Sequence, residues 1–171
     1  MSFPSDTRRK LISINQGDTI HHPHHGIGKV QCISKRSFSG EKETTFAQLY
    51  FKRDGLTLML RQQDLAKTVR NPIDAIGAQK LLDHLKQWKG KVSSQWKARA
   101  NAHREAMERG EPFDYADVYK GLSMLEAEGT LRASDRAHLN QSLYFLAEEL
   151  ANALGKTPEQ ARNQIAKTAG P

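Results

Sequence analysis

Histidine is the residue type that offers this chain the most chemistry, since four of its seven histidines lie within residues 21–25. The stretch reads HHPHHGIG, and imidazole nitrogens can bind zinc or transfer protons. A zinc site needs three or four ligands at one point, whereas His21 and His22 project from opposite faces of a strand. The remaining histidines fall on three separate predicted helices, and no Cys-x-x-Cys or His-Glu-x-x-His motif accompanies them.

A turn is the simplest interpretation of this histidine stretch. Pro23 fixes its own φ and holds His22 in extended geometry, while Gly26 permits a positive φ. A metal-dependent protein is the alternative, and elemental analysis of the purified chain would decide between the two. No nucleophile elbow, phosphate-binding loop or acidic pair indicates an enzyme. We therefore predict a non-enzymatic protein with no catalytic residues, no metal ligands and no cofactor.

Composition and length limit the kinds of protein that the chain can be. Its 171 residues suffice for one domain or two small ones, and 37% of them are apolar and 26% charged. No apolar run approaches the ~18 residues of a membrane span, and the first ten residues lack the apolar core of a secretory signal. Cys32 is the single cysteine, which suits a reducing compartment. We predict a cytoplasmic protein that does not enter a membrane.

Positive charge is concentrated in two parts of the chain. The formal net charge is +7 and the pI is about 9.6. Residues 1–70 carry 12 Lys and Arg against 6 Asp and Glu, and residues 80–109 carry 8 against 3. Residues 110–171 are acidic, with 6 against 9. A basic surface favours an anionic partner, of which nucleic acid is the commonest.

Residues 14–70 have the pattern of a small β-domain. Runs rich in β-branched and aromatic residues alternate with turn residues, and Asp54-Gly55 is typical of a hairpin turn. In the strand after that turn, three leucines share one face, and Thr57, Met59 and Arg61 share the other. Five short antiparallel strands predict a small barrel. They span residues 19–21, 29–34, 44–51, 56–61 and 64–69.

Residues 71–171 show the apolar periodicity of helices. The stripes predict a bundle of four or five helices, so the predicted fold class is α+β with a domain boundary at Asn71-Pro72. Residues 1–13 contain three consecutive cations and are predicted to be a disordered basic extension. The helix starts are expected at Asn71 followed by Pro72, at Ser93 or Ser94, at Ser134 and at Thr157.

Residues 17–30, GDTIHHPHHGIGKV, followed by Ile33, resemble the opening signature of the CarD family of bacterial transcription regulators. The same module resembles the RNA-polymerase-interacting domain of the transcription-repair coupling factor. Further along, Trp96 with Arg99, then Gly110-Glu111 and the segment 131–154, resemble the family's helical domain. The resemblance covers roughly residues 14–165 and implies a Tudor-like barrel followed by helices.

The resemblance also implies a mechanism. The barrel docks on the lobe of the RNA polymerase β subunit, and the helical domain contacts promoter DNA, largely independently of sequence, at the upstream edge of the melted bubble. A tryptophan there acts as a wedge in the minor groove and alters open-complex stability. The expected form is a cytoplasmic, nucleoid-associated monomer. The implied polymerase-binding residues are Arg36, Thr57, Met59 and Arg61, and the implied DNA-binding residues are Trp96, Lys97, Arg99 and Arg104.

Each of these assignments has an alternative in the residue pattern itself. Arg36 also fits an ordinary basic hairpin residue beside Lys35, and the three cations of the Trp96 segment also fit a solvated helix face. Trp96 shares a helical stripe with Ala100, His103 and Met107, which also fits a core position. The outward residues of strand 56–61 fit either a docking face or the second face of a closed barrel. If DNA is not touched, the chain is a polymerase-tethered adaptor whose helices recruit another protein, and apolar rather than basic surface would surround Trp96.

The sequence departs from the family pattern at four positions. Relatives often carry a basic residue where Met59 stands and a proline where Arg61 stands. Several carry Arg or Lys in place of Ala98 and Asn101. These departures predict that the contact with polymerase or the contact with DNA is either weaker or built differently in this chain.

Overall fold

The computed structural model describes residues 13–170. The chain divides into two compact units between Asn71 and Pro72. The first holds a four-stranded antiparallel sheet and one helix, and the second holds five helices, so the predicted α+β fold class is confirmed. The predicted extension at residues 1–13 lies outside the described residues except for Ser13. Among the helices described, none is long and apolar enough to cross a membrane.

The sheet of the first unit is a meander. Its strands are β1 (Thr19–His22), β2 (Gly26–Arg36), β3 (Thr44–Phe51) and β4 (Leu56–Arg61), and neighbours in the chain are neighbours in the sheet. Apolar side chains alternate with polar ones along the strands, which is expected of a sheet with one buried face. The buried residues of this unit include Ile20, Val30, Ala47, Leu49, Phe51, Leu65 and Val69.

Gly28 allows β2 and β3 to pack closely. A Cβ atom at this position would lie 2.7 Å from the ring of Phe51 and 2.9 Å from the carbonyl oxygen of Tyr50. Both distances are too short for a side chain, so only glycine fits. The other glycine of the motif, Gly26, has a φ of 73° and is the first residue of β2, where the chain leaves the turn. In the Gly-x-Gly pattern, Gly26 is therefore needed for its positive φ, and Gly28 is needed because no side chain fits between β2 and β3.

The predicted fifth strand is wrong, because this segment forms helix α1 (Gln62–Thr68). Its Gln, Leu, Ala and Lys residues favour a helix, and Leu65 is buried against the sheet core. An isolated antiparallel bridge joins β1 to the segment after the helix: His21 N–H donates to the Arg70 carbonyl at 2.8 Å, and Arg70 N–H donates to the His21 carbonyl at 3.1 Å. Across residues 13–170 the sheet is open, so the predicted barrel is only loosely supported.

The second unit is a bundle of five helices, within the predicted number. They are α2 (Ala75–Gln87), α3 (Trp96–Arg109), α4 (Pro112–Ala127), α5 (Ala133–Leu154) and α6 (Pro158–Ala169). Most residues of the predicted stripes are buried; among them are Leu81, Leu85, Tyr115, Leu122, Leu146 and Leu150. Ile76 is 69% exposed, because nine residues of helix place it about 180° around the axis from Leu85.

Only one of the four predicted helix starts is confirmed. Thr157 caps α6, with its side chain accepting the Gln160 N–H at 3.2 Å while the Gln160 side chain accepts the Thr157 N–H at 3.0 Å. Asp74 replaces Asn71 as the cap of α2, because its carboxylate accepts the Gly77 N–H at 2.7 Å. The caps of α3 and α5 are Gln95 and Arg132 rather than the predicted serines.

The histidine stretch forms a turn between β1 and β2. His22 Nδ1 accepts the N–H of His24 at 3.1 Å, and the His22 ring meets the Phe51 ring edge-on with centroids 5.8 Å apart. Burial lowers the pKa of His21 to about 2 and the pKa of His22 to about 4. Within residues 13–170, no group of three His, Cys, Asp or Glu side chains could hold a metal ion.

We predict that the first unit loses stability as the pH falls from about 6.5 toward 4. Both buried imidazoles are neutral in the folded state, whereas the unfolded chain takes up a proton on each below pH ~6.5, so added protons favour unfolding. NMR titration of the imidazole resonances should place the His22 midpoint near 4. In His22→Asn the acceptor for His24 is kept and residue 22 no longer titrates, so the unfolding free energy should depend less on pH. A His22 midpoint near the ordinary ~6.5 would contradict this prediction.

Candidate functional sites

The strand register gathers all four predicted polymerase-binding residues on one face of the sheet. Arg36 pairs with Thr44, and three alternate residues of β3 pair with Arg61, Met59 and Thr57. Cross-strand partners and every second residue of a strand share a face. We call the face opposite the core the outer face. Its members are Cys32, Ser34 and Arg36 of β2, Thr44, Phe46, Gln48 and Tyr50 of β3, and Thr57, Met59 and Arg61 of β4.

β4 lies at an edge of the sheet and presents this face to solvent. Its three leucines are half-buried against the core, whereas Thr57, Met59 and Arg61 are exposed. Because the sheet is open, these residues are not the second face of a closed barrel. An edge strand can also pair with a strand of another protein through backbone groups that its own sheet does not use.

An aromatic pair adds apolar area to the outer face. Phe38, in the loop after β2, is 54% exposed and meets Phe46 edge-on with ring centroids 5.7 Å apart. Met59 is 39% exposed on the adjacent strand. Sequence reasoning missed Phe38, although a single aromatic residue in the polar stretch SFSG was an available signal. The outer face thus combines exposed apolar side chains with Arg36 and Arg61 at one end.

Trp96 is the first residue of α3, and it is 42% exposed. The Lys97 Nζ atom lies 5.5 Å from the centroid of its ring, and the guanidinium carbon of Arg132 lies 5.4 Å from it. Both distances are within the range of a cation–π interaction. An indole with this exposure and these neighbours is not a core residue, although Met107 of the same predicted stripe is buried.

Arg99 is buried rather than a surface cation, which argues against its predicted role in contacting phosphate. The Arg99 side chain is 5% exposed. Its guanidinium forms a two-pronged ion pair with Asp135 of α5, in which Nε lies 3.0 Å from Oδ1 and Nη2 lies 2.7 Å from Oδ2. The remaining terminal nitrogen donates to the Ser93 carbonyl at 2.8 Å. Arg99 follows Trp96 by three residues in α3, and its side chain faces the interior of the bundle. The charge of an arginine alone does not predict this burial.

The Asp135 carboxylate joins three segments of the second unit. Besides Arg99 of α3, it accepts the backbone N–H of Arg132 at 3.1 Å, which caps the start of α5. Arg99 in turn holds the segment before α3 through the Ser93 carbonyl. The hydrogen bonds from Arg99 lower the pKa of Asp135 below its usual value, and the same bonds raise the pKa of Arg99. Both groups are therefore charged at neutral pH.

Two histidines pack beside this ion pair. His103 of α3 and His138 of α5 meet edge-on with ring centroids 6.2 Å apart, and the Nδ1 atom of each is buried without a hydrogen-bond partner. Burial lowers the pKa of His103 to about 4, and it lowers the pKa of His138 as well. These histidines are thus neutral side chains at pH 7 and supply no charge to an anionic partner.

The two other predicted DNA-binding cations lie on the surface. Lys97 and Arg104 are both exposed on α3. The other tryptophan, Trp88, has a structural role: its Nε1–H donates to Asp117 Oδ1 at 3.0 Å, and His84 Nε2 lies 2.6 Å from the same oxygen. The structure therefore brings Trp96 and Lys97 together and leaves Arg104 exposed farther along α3. The arginine that lies beside the indole is Arg132, whereas Arg99 is buried.

We predict that Asp135→Asn lowers the free energy of unfolding by about 3–5 kcal/mol, because it leaves the buried guanidinium of Arg99 without a counter-charge. The matched control is Asp114→Asn, which breaks a similar two-pronged pair with Arg109 at 2.8–2.9 Å on the surface. That variant should lose no more than ~1 kcal/mol. Urea unfolding followed by circular dichroism measures both, and equal losses would contradict the prediction.

Comparison with known proteins relates both units to the same family. Residues 14–73 match the family described as CarD-like/TRCF RID domain, and residues 80–166 match the one described as CarD, C-terminal domain. A candidate transcription factor of Bacillus subtilis (strain 168), YdeB, is 26% identical over 148 residues, which cover 86% of this chain and 96% of the relative. The chain therefore belongs to the CarD family of RNA-polymerase-interacting transcription factors.

Proposed function

We propose that the chain binds the lobe of the RNA polymerase β subunit through its sheet and contacts promoter DNA through its helical unit, at the upstream edge of the melted bubble. In this proposal it acts as a nucleoid-associated monomer in the cytoplasm and alters the stability of the open complex. The observation that carries the proposal is the exposed indole of Trp96 with two cations, Lys97 and Arg132, within 5.5 Å of its centroid.

The outer face and the β4 edge together supply what a docking strand needs. The edge offers backbone pairing to a partner's sheet, and the side chains of the outer face set the specificity. Met59 and the Phe38–Phe46 pair provide apolar contact, while Arg36 and Arg61 provide charge at one end. Met59 and Arg61 depart from the family pattern, and both are exposed on this strand, so they are the positions where this chain's dock differs from those of its relatives.

We expect negative charge introduced on the outer face to weaken binding to the isolated β-subunit lobe. Arg36→Glu and Met59→Glu should each raise the Kd about tenfold or more, because each introduces a negative charge into the contact. Lys35→Glu is the matched control: Lys35 is exposed, adjacent in the same strand, and pairs with Thr45, so it projects from the opposite face. Titration calorimetry gives the three Kd values. Equal weakening by Lys35→Glu and Arg36→Glu would exclude the outer face as the dock.

The surface around Trp96 fits distorted DNA better than a protein partner. An exposed apolar ring can enter a widened base step, and nearby cations can meet phosphates without reading sequence. Lys97, Arg104 and Arg132 are exposed on this part of the unit. An adaptor that recruits another protein would have apolar surface around the indole, whereas two cations lie within 5.5 Å of the centroid of this ring. These neighbours favour the DNA-contacting function.

Stabilisation of the open complex then follows from mass action. If the chain binds the open state more tightly than the closed one, the open state gains population in proportion to the ratio of the two affinities. A coupling of ~1.4 kcal/mol changes this equilibrium about tenfold. A polymerase dock on the first unit raises the local concentration of the covalently attached second unit, so a modest affinity of that unit for DNA is sufficient.

Trp96→Ala should shorten the lifetime of the open complex about fivefold or more, because stacking of a base on an aromatic ring is worth ~1–3 kcal/mol. Trp96→Phe should retain part of the effect, since a smaller ring still stacks. The measurement is the decay of promoter complexes after challenge with a polyanion, with and without the chain. Both variants should bind the β-subunit lobe like the wild type. An unchanged lifetime with Trp96→Ala, together with intact lobe binding, would favour the adaptor.

A further inference from the structure

The residue at the N-cap of α5 is of a type that is unusual for that position. Arg132 is the N-cap of α5, where Ser, Thr, Asp and Asn are preferred because their side chains accept a backbone N–H. A guanidinium has no acceptor, so it cannot make that bond. Among the residues that the structure describes, the side chain that caps this end of α5 is Asp135, which accepts the N–H of Arg132. The side chain of Arg132 is thus exposed and contributes nothing to capping.

That side chain lies over the indole of Trp96 instead. The guanidinium carbon is 5.4 Å from the ring centroid, and it reaches the ring from a different helix. Lys97 also lies near the ring, but it is the next residue on the same helix and a flexible point charge. A planar guanidinium stacks on an aromatic face, which restricts the ring more than an ammonium does. Arg132 therefore contacts the indole from outside α3.

The backbone beneath this contact is fixed. The Asp135 carboxylate holds the N–H of Arg132 on one side and the buried guanidinium of Arg99 on the other. Arg99 and Trp96 are three residues apart on α3. The starting points of both side chains, Arg132 and Trp96, are consequently set by one carboxylate. Ala98 and Asn101, the uncharged exposed residues nearby on α3, supply no alternative cation for the ring.

We propose that Arg132 is a positioning residue for Trp96, restricting the indole to one orientation before DNA arrives. The value of this role for transcription rests on the proposed function, because a wedge that is already oriented loses less conformational freedom on insertion. Exposed cation–π pairs are worth enough to shift a rotamer population roughly two- to fivefold. Loss of Arg132 should therefore reduce the lifetime of the open complex by about the same factor.

The orientation of the indole can be tested in the free protein. We expect Arg132→Ser, which restores a preferred N-cap residue, to fold and to lose the NOEs between the Trp96 ring and residue 132. The Trp96 side-chain couplings should change from those of one rotamer to an average, and Arg132→Lys should fall between Ser and wild type. Arg136→Ser is the matched control, because Arg136 is exposed on the same helical turn and donates to Glu126 at 3.1 Å. Unchanged couplings in Arg132→Ser would overturn the proposal.

The functional part is tested separately, with the same variants in open complexes. If Arg132 positions the ring, Arg132→Ser should shorten the lifetime only while Trp96 is present, and Arg132→Ser in a Trp96→Ala background should add little. The salt dependence of DNA binding should hardly change. A salt slope lowered by about one, with the same loss in both backgrounds, would make Arg132 a phosphate contact and overturn the positioning role. If Trp96→Ala itself has no effect, the proposed function fails, while the result in the free protein still decides the orientation.

Discussion

The buried ion pair between Arg99 and Asp135 is the interaction on which the exposed end of the helical unit depends. Two charges removed from water are tolerated only when their hydrogen bonds are nearly complete. Here the carboxylate and the guanidinium together connect α3, the start of α5 and the segment before α3. Such a pair adds little net stability compared with apolar residues of the same size, but it allows few alternative arrangements. The exposed indole of Trp96 takes its position from that constraint.

Periodicity predicted the parts of the fold that depend on long repeated patterns. The alternation in β4 extends over all its residues, and the leucine stripe of α5 extends over several helical turns. Each pattern therefore predicts which side is buried without knowledge of the rest of the structure. Helix α1 was missed because its seven residues bury one apolar side chain, Leu65, which fits a short strand equally well. Helix starts were missed where tertiary contacts chose among nearby polar residues, as Asp74 shows.

The candidate sites were predictable where side chains act alone and not where they act in pairs. The resemblance located Trp96 and the outward residues of β4, and the structure leaves all of them exposed. The burial of Arg99 was not predicted because its partner, Asp135, lies in another helix, and a sequence does not reveal which arginine a distant carboxylate neutralises. The same reason hid Arg132, whose relation to the indole exists only once α3 and α5 are packed together.

The cap of α5 is a position where the chain has not taken the most stabilising residue. A residue with a side-chain acceptor is commonly worth ~1 kcal/mol at an N-cap, and Arg132 forgoes that contribution. Proteins retain such choices where activity outweighs thermostability. A laboratory selection for heat resistance would therefore accept Ser or Asp at position 132 early, and it would return a more stable protein whose tryptophan ring is less restricted in orientation. In this small unit, residue 132 cannot be optimal both for thermal stability and for the orientation of the tryptophan that engages a partner.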